Sequence, residues 1–70
     1  MEVFLARVHT KYEGSTVYGI FANVDAAIAR LKVLEPSYSE MVDGELEKGI
    51  VYNRTDGYDS LQVIKYEVQG

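Results

Sequence analysis

The sequence predicts a small α+β domain: an antiparallel sheet with one helix packed on one face, in the order β-β-α-β-β. Two apolar/polar alternating runs separated by a short turn predict an antiparallel hairpin at the start. A single stretch with apolar residues at helical spacing follows, closed by the chain's one proline. Two further β-rich runs flanking an Asp-Gly turn complete the order.

The first strand is read over Val3 to Thr10. Phe4, Ala6 and Val8 fall on one face, and Val3, Leu5, Arg7 and His9 on the other. Residues 11–15 form a turn in which Gly14 is free to take positive φ. Thr16 to Phe21 is the second strand, rich in β-branched and aromatic residues. Strict alternation places Val17 and Phe21 with Phe4 and Val8, and Tyr18 and Ile20 with Val3 and Leu5.

Asn23 is the expected N-cap and Asp25 favours the first turn of a helix. Val24, Ala27, Ile28, Leu31 and Leu34 form its apolar stripe, while Asp25, Arg30 and Lys32 lie away from it. Pro36 disfavours helical geometry at Glu35 and ends the helix. Between 37 and 49 the pattern predicts a short helical turn near 38–42 and a loop at Asp43-Gly44. Ile50 to Arg54 reads as the third strand, residues 55–60 as a turn, and Leu61 to Val68 as the fourth strand.

Both faces of the first hairpin carry large apolar groups, whereas a sheet with one wet face alternates more cleanly. Either the 37–49 segment folds over the second face or a second copy packs there, a possible homodimer. Size points the same way. Seventy residues make a single domain, 1–70, with no room for a second core. A chain this short buries only about 60% of its unfolded surface, and small scaffolds commonly add a disulfide, a metal or a partner. With no Cys and one His, disulfides, Cys-rich zinc sites and thiol catalysis are excluded, and no metal or other cofactor is expected. An apolar content of 47% with 11% aromatics suffices for a core. No apolar run is long enough to span a membrane, and Met1-Glu2-Val3 lacks the features of a signal peptide, so a cytoplasmic location is expected.

Charge is distributed unevenly. Glu35, Glu40, Asp43, Glu45 and Glu47 fall in one stretch without Lys or Arg, within a variable acidic segment at 35–49. Residues 35–47 carry −5 and the rest of the chain +1, for a net −4. No basic patch tracks a nucleic-acid backbone, so no direct nucleic-acid partner is expected.

The strand Val3-Phe4-Leu5-Ala6-Arg7-Val8-His9, the run Val17-Tyr18-Gly19-Ile20-Phe21-Ala22-Asn23, the helix Ala26-Ala27-Ile28-Ala29-Arg30-Leu31 and the closing Gln62-Val63-Ile64-Lys65-Tyr66-Glu67-Val68 form a recognisable pattern. It resembles a class of small uncharacterised α+β domains of bacteriophages and bacteria, over residues 3–34 and 62–68. The resemblance implies a fold and a phage or mobile-element origin; it brings no catalytic residues, and residues 37–60 depart from it.

Chemistry-bearing residues are sparse. His9 has no partner fixed by spacing, and Ser15, Ser37, Ser39 and Ser60 lie in turns without a nucleophile-elbow context. Asp56-Gly57-Tyr58-Asp59 has too few oxygen ligands for a calcium loop and reads as a turn. Gly44 and Gly49 make no phosphate loop, and Asn53-Arg54-Thr55 is a chance sequon. Six of the eight aromatics are Tyr, a residue enriched at interfaces, and Tyr12, Tyr38 and Tyr58 fall in turns.

The expected function is therefore non-catalytic binding. Tyr38, Glu40, Asp43, Glu45, Glu47 and Tyr58 are the expected protein-binding residues, engaging a host protein with a basic surface. The alternative is a homodimer that sequesters a nucleotide-type ligand, with Arg7, His9 and Arg54 as its anchors.

Overall fold

The computed structural model describes residues 1–69 and contains a five-stranded antiparallel sheet with one α-helix. The strands are β1 (Glu2–Thr10), β2 (Gly14–Phe21), β3 (Val42–Asp43), β4 (Ile50–Thr55) and β5 (Asp59–Glu67). The helix α1 spans Val24–Leu34, and a 3₁₀ helix spans Pro36–Glu40. The sheet order is β2-β1-β5-β4-β3, so the first and last long strands pair at the centre. Their register is unbroken from Glu2↔Glu67 to Thr10↔Asp59.

The helix follows its local code. The Asn23 side chain accepts a 2.8 Å hydrogen bond from the Ala26 N–H, satisfying one of the orphan donors of the first turn. Ala27 and Leu31 of the stripe are fully buried, whereas Asp25, Arg30 and Lys32 are exposed. The stripe packs on Ala6 and Val8 of β1, Leu61 and Val63 of β5, and Met41. Phe4, Tyr18, Phe21, Ile28, Tyr38 and Tyr52 close the margin of that core.

Two expectations are corrected. The sheet has a fifth strand: Val42 and Asp43, expected near a helical turn and loop, pair with Thr55 and Arg54. Two residues are too few for alternation to reveal a strand. The second correction concerns β2, whose register against β1 shifts between Ala6 and Arg7. Ala6 faces Gly19 while Arg7 faces Val17, leaving Tyr18 as the extra residue of a bulge. The bulge exchanges the expected faces: Tyr18 packs on the helix-side core, and Val17 shares the opposite face with Arg7. Gly19 has φ +152, and a Cβ there would meet the Phe21 ring at 2.9 Å. Glycine therefore supplies both the backbone freedom for the bulge and the space for Phe21.

The segment after α1 packs on the helix side. Tyr38 and Met41 join the core there, and the 3₁₀ helix lies against α1. The opposite face of the sheet receives no helix, although Gln62 and Ile64 of β5 are buried within it. Its strand positions are Ser15, Val17 and Ile20 on β2, and Val3, Leu5, Arg7 and His9 on β1. Ser60, Gln62, Ile64 and Tyr66 follow on β5, Ile50, Asn53 and Thr55 on β4, and Val42 on β3.

Truncation of Leu31 to Ala removes the fully buried centre of the helix stripe. We expect a loss of about 2–5 kcal/mol, read by urea denaturation, with the slope of the transition unchanged. A cost under about 1 kcal/mol would mean that α1 is not seated as described.

Candidate functional site

Acidic side chains collect along the β3 edge of the sheet. Glu40 ends the 3₁₀ helix, Asp43 lies on β3, and Glu45 and Glu47 follow in the loop to β4; all four are exposed. Backbone contacts hold this loop in place. Gly44 N–H donates to the Asn53 carbonyl at 2.8 Å, extending β3 by one bond, and Asn53 Nδ2 donates to the Glu45 carbonyl at 2.9 Å. Ile50 N–H donates to the Glu47 carbonyl at 3.0 Å, and Lys65 N–H to the Gly49 carbonyl at 2.8 Å.

Behind this edge lies an aromatic and cationic buttress. The Tyr38 and Tyr52 rings stack with centroids 6.4 Å apart and planes within 5°, and their hydroxyls are hydrogen-bonded. The Arg54 guanidinium sits 4.8 Å from the Tyr38 ring centroid, and Lys32 Nζ sits 5.3 Å from it. Arg54 also donates to the Met41 carbonyl and lies 3.6 Å from the Asp43 carboxylate. That carboxylate is 86% exposed, so the ion pair is screened and contributes modestly to stability. Its consequence is positional: Arg54 ties the acidic edge to the core-side stack. Burial, and then the adjoining Tyr38 hydroxyl, hold the Tyr52 phenol well above its ordinary pKa.

Between edge and sheet is a groove of about 350 Å³ lined by Asp43, Gly44, Leu46, Val51, Tyr52 and Asn53. Leu46 and Val51 give it apolar surface, and Asp43, whose carboxylate pairs with Arg54, borders it. Asn53 Oδ1 is buried without a hydrogen-bond partner among the described residues. This arrangement suits a long basic side chain, its stem on Leu46 and Val51 and its head at the carboxylate.

The other expected site residues fall elsewhere. Tyr38 is half-buried in the stack, leaving it little free surface. Tyr58 is 70% exposed at the β4–β5 turn, beside the β1–β2 turn, where Lys11 N–H donates to its carbonyl. Asp56 organises this turn, its Oδ1 accepting from the Tyr58 and Asp59 N–H groups at 2.9 and 2.6 Å. Those two donors, Asp59 foremost, hold its carboxyl below the usual range, and Gly57 takes φ +99.

Arg7 and His9 share the open sheet face two residues apart, whereas Arg54 lies on the helix side. The three anchors expected for a nucleotide-type ligand therefore do not converge. Arg7 Nε donates to Gln62 Oε1 at 2.7 Å, and His9 Nδ1 lies 2.8 Å from Ser15 Oγ. Neither cross-strand pair was legible in the sequence, because both depend on sheet register. The His9–Ser15 pair is exposed, and among the described residues no carboxylate hydrogen-bonds the imidazole to orient it as a base. Among those residues, too, no three His, Cys, Asp or Glu side chains gather to hold a metal, and no helix is long and apolar enough to cross a membrane.

Leu46, Val51 and Asn53 were also missed as groove residues. Val51 becomes part of the lining because the β4–β5 register shifts between Ile50 and Tyr52. No family model, curated protein or solved structure matches the chain.

The Tyr52 phenol gives the buttress a pH signature. The unfolded chain releases this proton near pH 10 while the folded chain retains it, so stability present below pH 10 is lost as the pH rises beyond it. Thermal melts of Tyr52→Phe should show a shallower fall in Tm above pH 10 than the wild type, with matching slopes at neutral pH. Parallel curves throughout would contradict the assignment.

Proposed function

We propose that this protein is a non-catalytic binding protein whose acidic β3 edge engages a basic surface on a host protein and blocks it. The observation that carries this reading is that Glu40, Asp43, Glu45 and Glu47 lie exposed along one tethered edge, beside a groove shaped for a Lys or Arg side chain. A pre-ordered edge loses little entropy on binding, which favours recognition over mere solvation of a loop. Clustered carboxylates also steer a basic partner to the correct surface. Tyr58 contributes exposed aromatic area, and Tyr38 acts from behind by supporting Arg54 and β3.

The resemblance to small phage and bacterial domains supports a phage or mobile-element origin, and with it a bacterial host protein as partner. A defence or nucleic-acid-handling enzyme fits best, because its basic substrate surface is what an acidic edge would occupy. A cytoplasmic site of action follows from that partner class.

The test is retention of a bacterial protein by tagged wild type and by the combined variant Glu40→Gln, Asp43→Asn, Glu45→Gln, Glu47→Gln. We expect near-equimolar capture by the wild type at low salt, and loss at about 0.3 M salt, where screening acts within roughly 6 Å. The variant should fold, by circular dichroism, and capture the protein at least tenfold less well. Equal capture by both chains would contradict the electrostatic reading.

A further inference from the structure

We infer that the open face of the sheet is the interface of a reversible two-fold homodimer, packed face to face. The face divides along the strands. Towards the start of β1 it is apolar, with Val3, Leu5, Ile20, Ile50, Ile64 and Tyr66. Towards the turns it is mostly polar, with Arg7, His9, Asn53, Ser60 and Gln62, and it carries Val17 opposite Arg7 and Val42 opposite Thr55. Ile20 is 64% exposed, Val17 56% and Tyr66 49%, although each belongs to a strand of the sheet. Leu5 and Ile64 are directly paired neighbours at the middle of this surface, with Leu5 half-buried and Ile64 buried between its strand neighbours.

Area and charge together select a second copy as the occupant. Four strands about 4.8 Å apart, each using about seven residues at 3.4 Å, give a face of roughly 450 Å². Two such faces brought together remove on the order of 1,000 Å² of surface, about the minimum for a specific interface and well below that of a permanent dimer.

For a chain of net charge −4, association with itself must avoid opposing carboxylates. No strand position on the open face is acidic; Glu2 and Glu67 belong to the helix side, and the acidic edge lies at the far strand. A two-fold axis lying between the sheets and roughly along the strands sets apolar half on apolar half. It also leaves each Arg7 at the wetter end, held by Gln62. The carboxylates of the acidic edge lie outside this face, which shares Asn53 with the groove.

Sedimentation equilibrium of the untagged chain between about 5 µM and 500 µM tests it, since mass action makes dimer content rise with concentration. We expect the mass to climb from 7.9 kDa towards twice that value. Ile20→Glu should stay monomeric throughout, and Val33→Glu, on the exposed side of α1, should dimerise like wild type. Val17→Glu is read in place of Ile20→Glu if that variant fails to fold. Dilution of the wild type followed by amide chemical shifts needs no variant. Changes should centre on Leu5, Ile20, Ile64 and Tyr66. A wild type monomeric at 500 µM, an Ile20→Glu or Val17→Glu chain that still dimerises, or shifts confined to α1 or β3 would overturn the inference.

Discussion

One eleven-residue helix cannot cover both faces of a five-stranded sheet, and the architecture is organised around that constraint. The helix, the 3₁₀ helix and Met41 are all gathered on one side, over the central β1–β5 pair. Concentrating the cover there gives Ala6, Ala27, Leu31, Leu61 and Val63 complete burial in a chain of only 70 residues. Hydrophobic stabilisation scales with apolar area removed from water, and this layer holds the fully buried apolar side chains. The consequence is a second face that keeps apolar side chains in contact with solvent.

The acidic edge depends on the same layer. Tyr52 reaches the core from β4, Tyr38 stacks upon it, and Arg54 bridges from that stack to Asp43 and the Met41 carbonyl. The short β3 strand is thus anchored through side chains more than through its two ladder residues. Carboxylates along a short terminal strand also discourage edge-to-edge pairing with another sheet. Recognition of a basic partner and protection of the edge call for the same charges in the same place.

How much of this was legible in the sequence varied with how local the cause was. Helix α1 was readable to the residue, because cap, stripe and proline all act within a few positions of one another. The strand runs were readable within one or two residues, and the first hairpin showed apolar groups on both faces, which led to the expectation that the 37–49 segment or a second copy covers the second one. The bulge at Tyr18 was not readable, since it arises from the packing of Phe21 over Gly19 and reverses the faces of Val17 and Tyr18. Nor was the placement of Arg54 opposite Arg7 and His9, which follows from strand order and the register shift in β4. The acidic cluster was visible as composition; its ordering into an edge with a groove required Asn53, Gly44 and the tyrosine stack to meet in space.

The central claim is one-sided cover of the sheet, from which both surfaces follow. Paramagnetic broadening of methyl signals by a neutral soluble probe, at a protein concentration near 5 µM, tests it most directly. The account predicts strong broadening for Val17, Ile20 and Val42, which are each more than half exposed, and protection of Leu31, Leu61 and Val63. Protection of Val17 and Ile20 in the dilute monomer, or broadening of Leu31 and Val63, would contradict it.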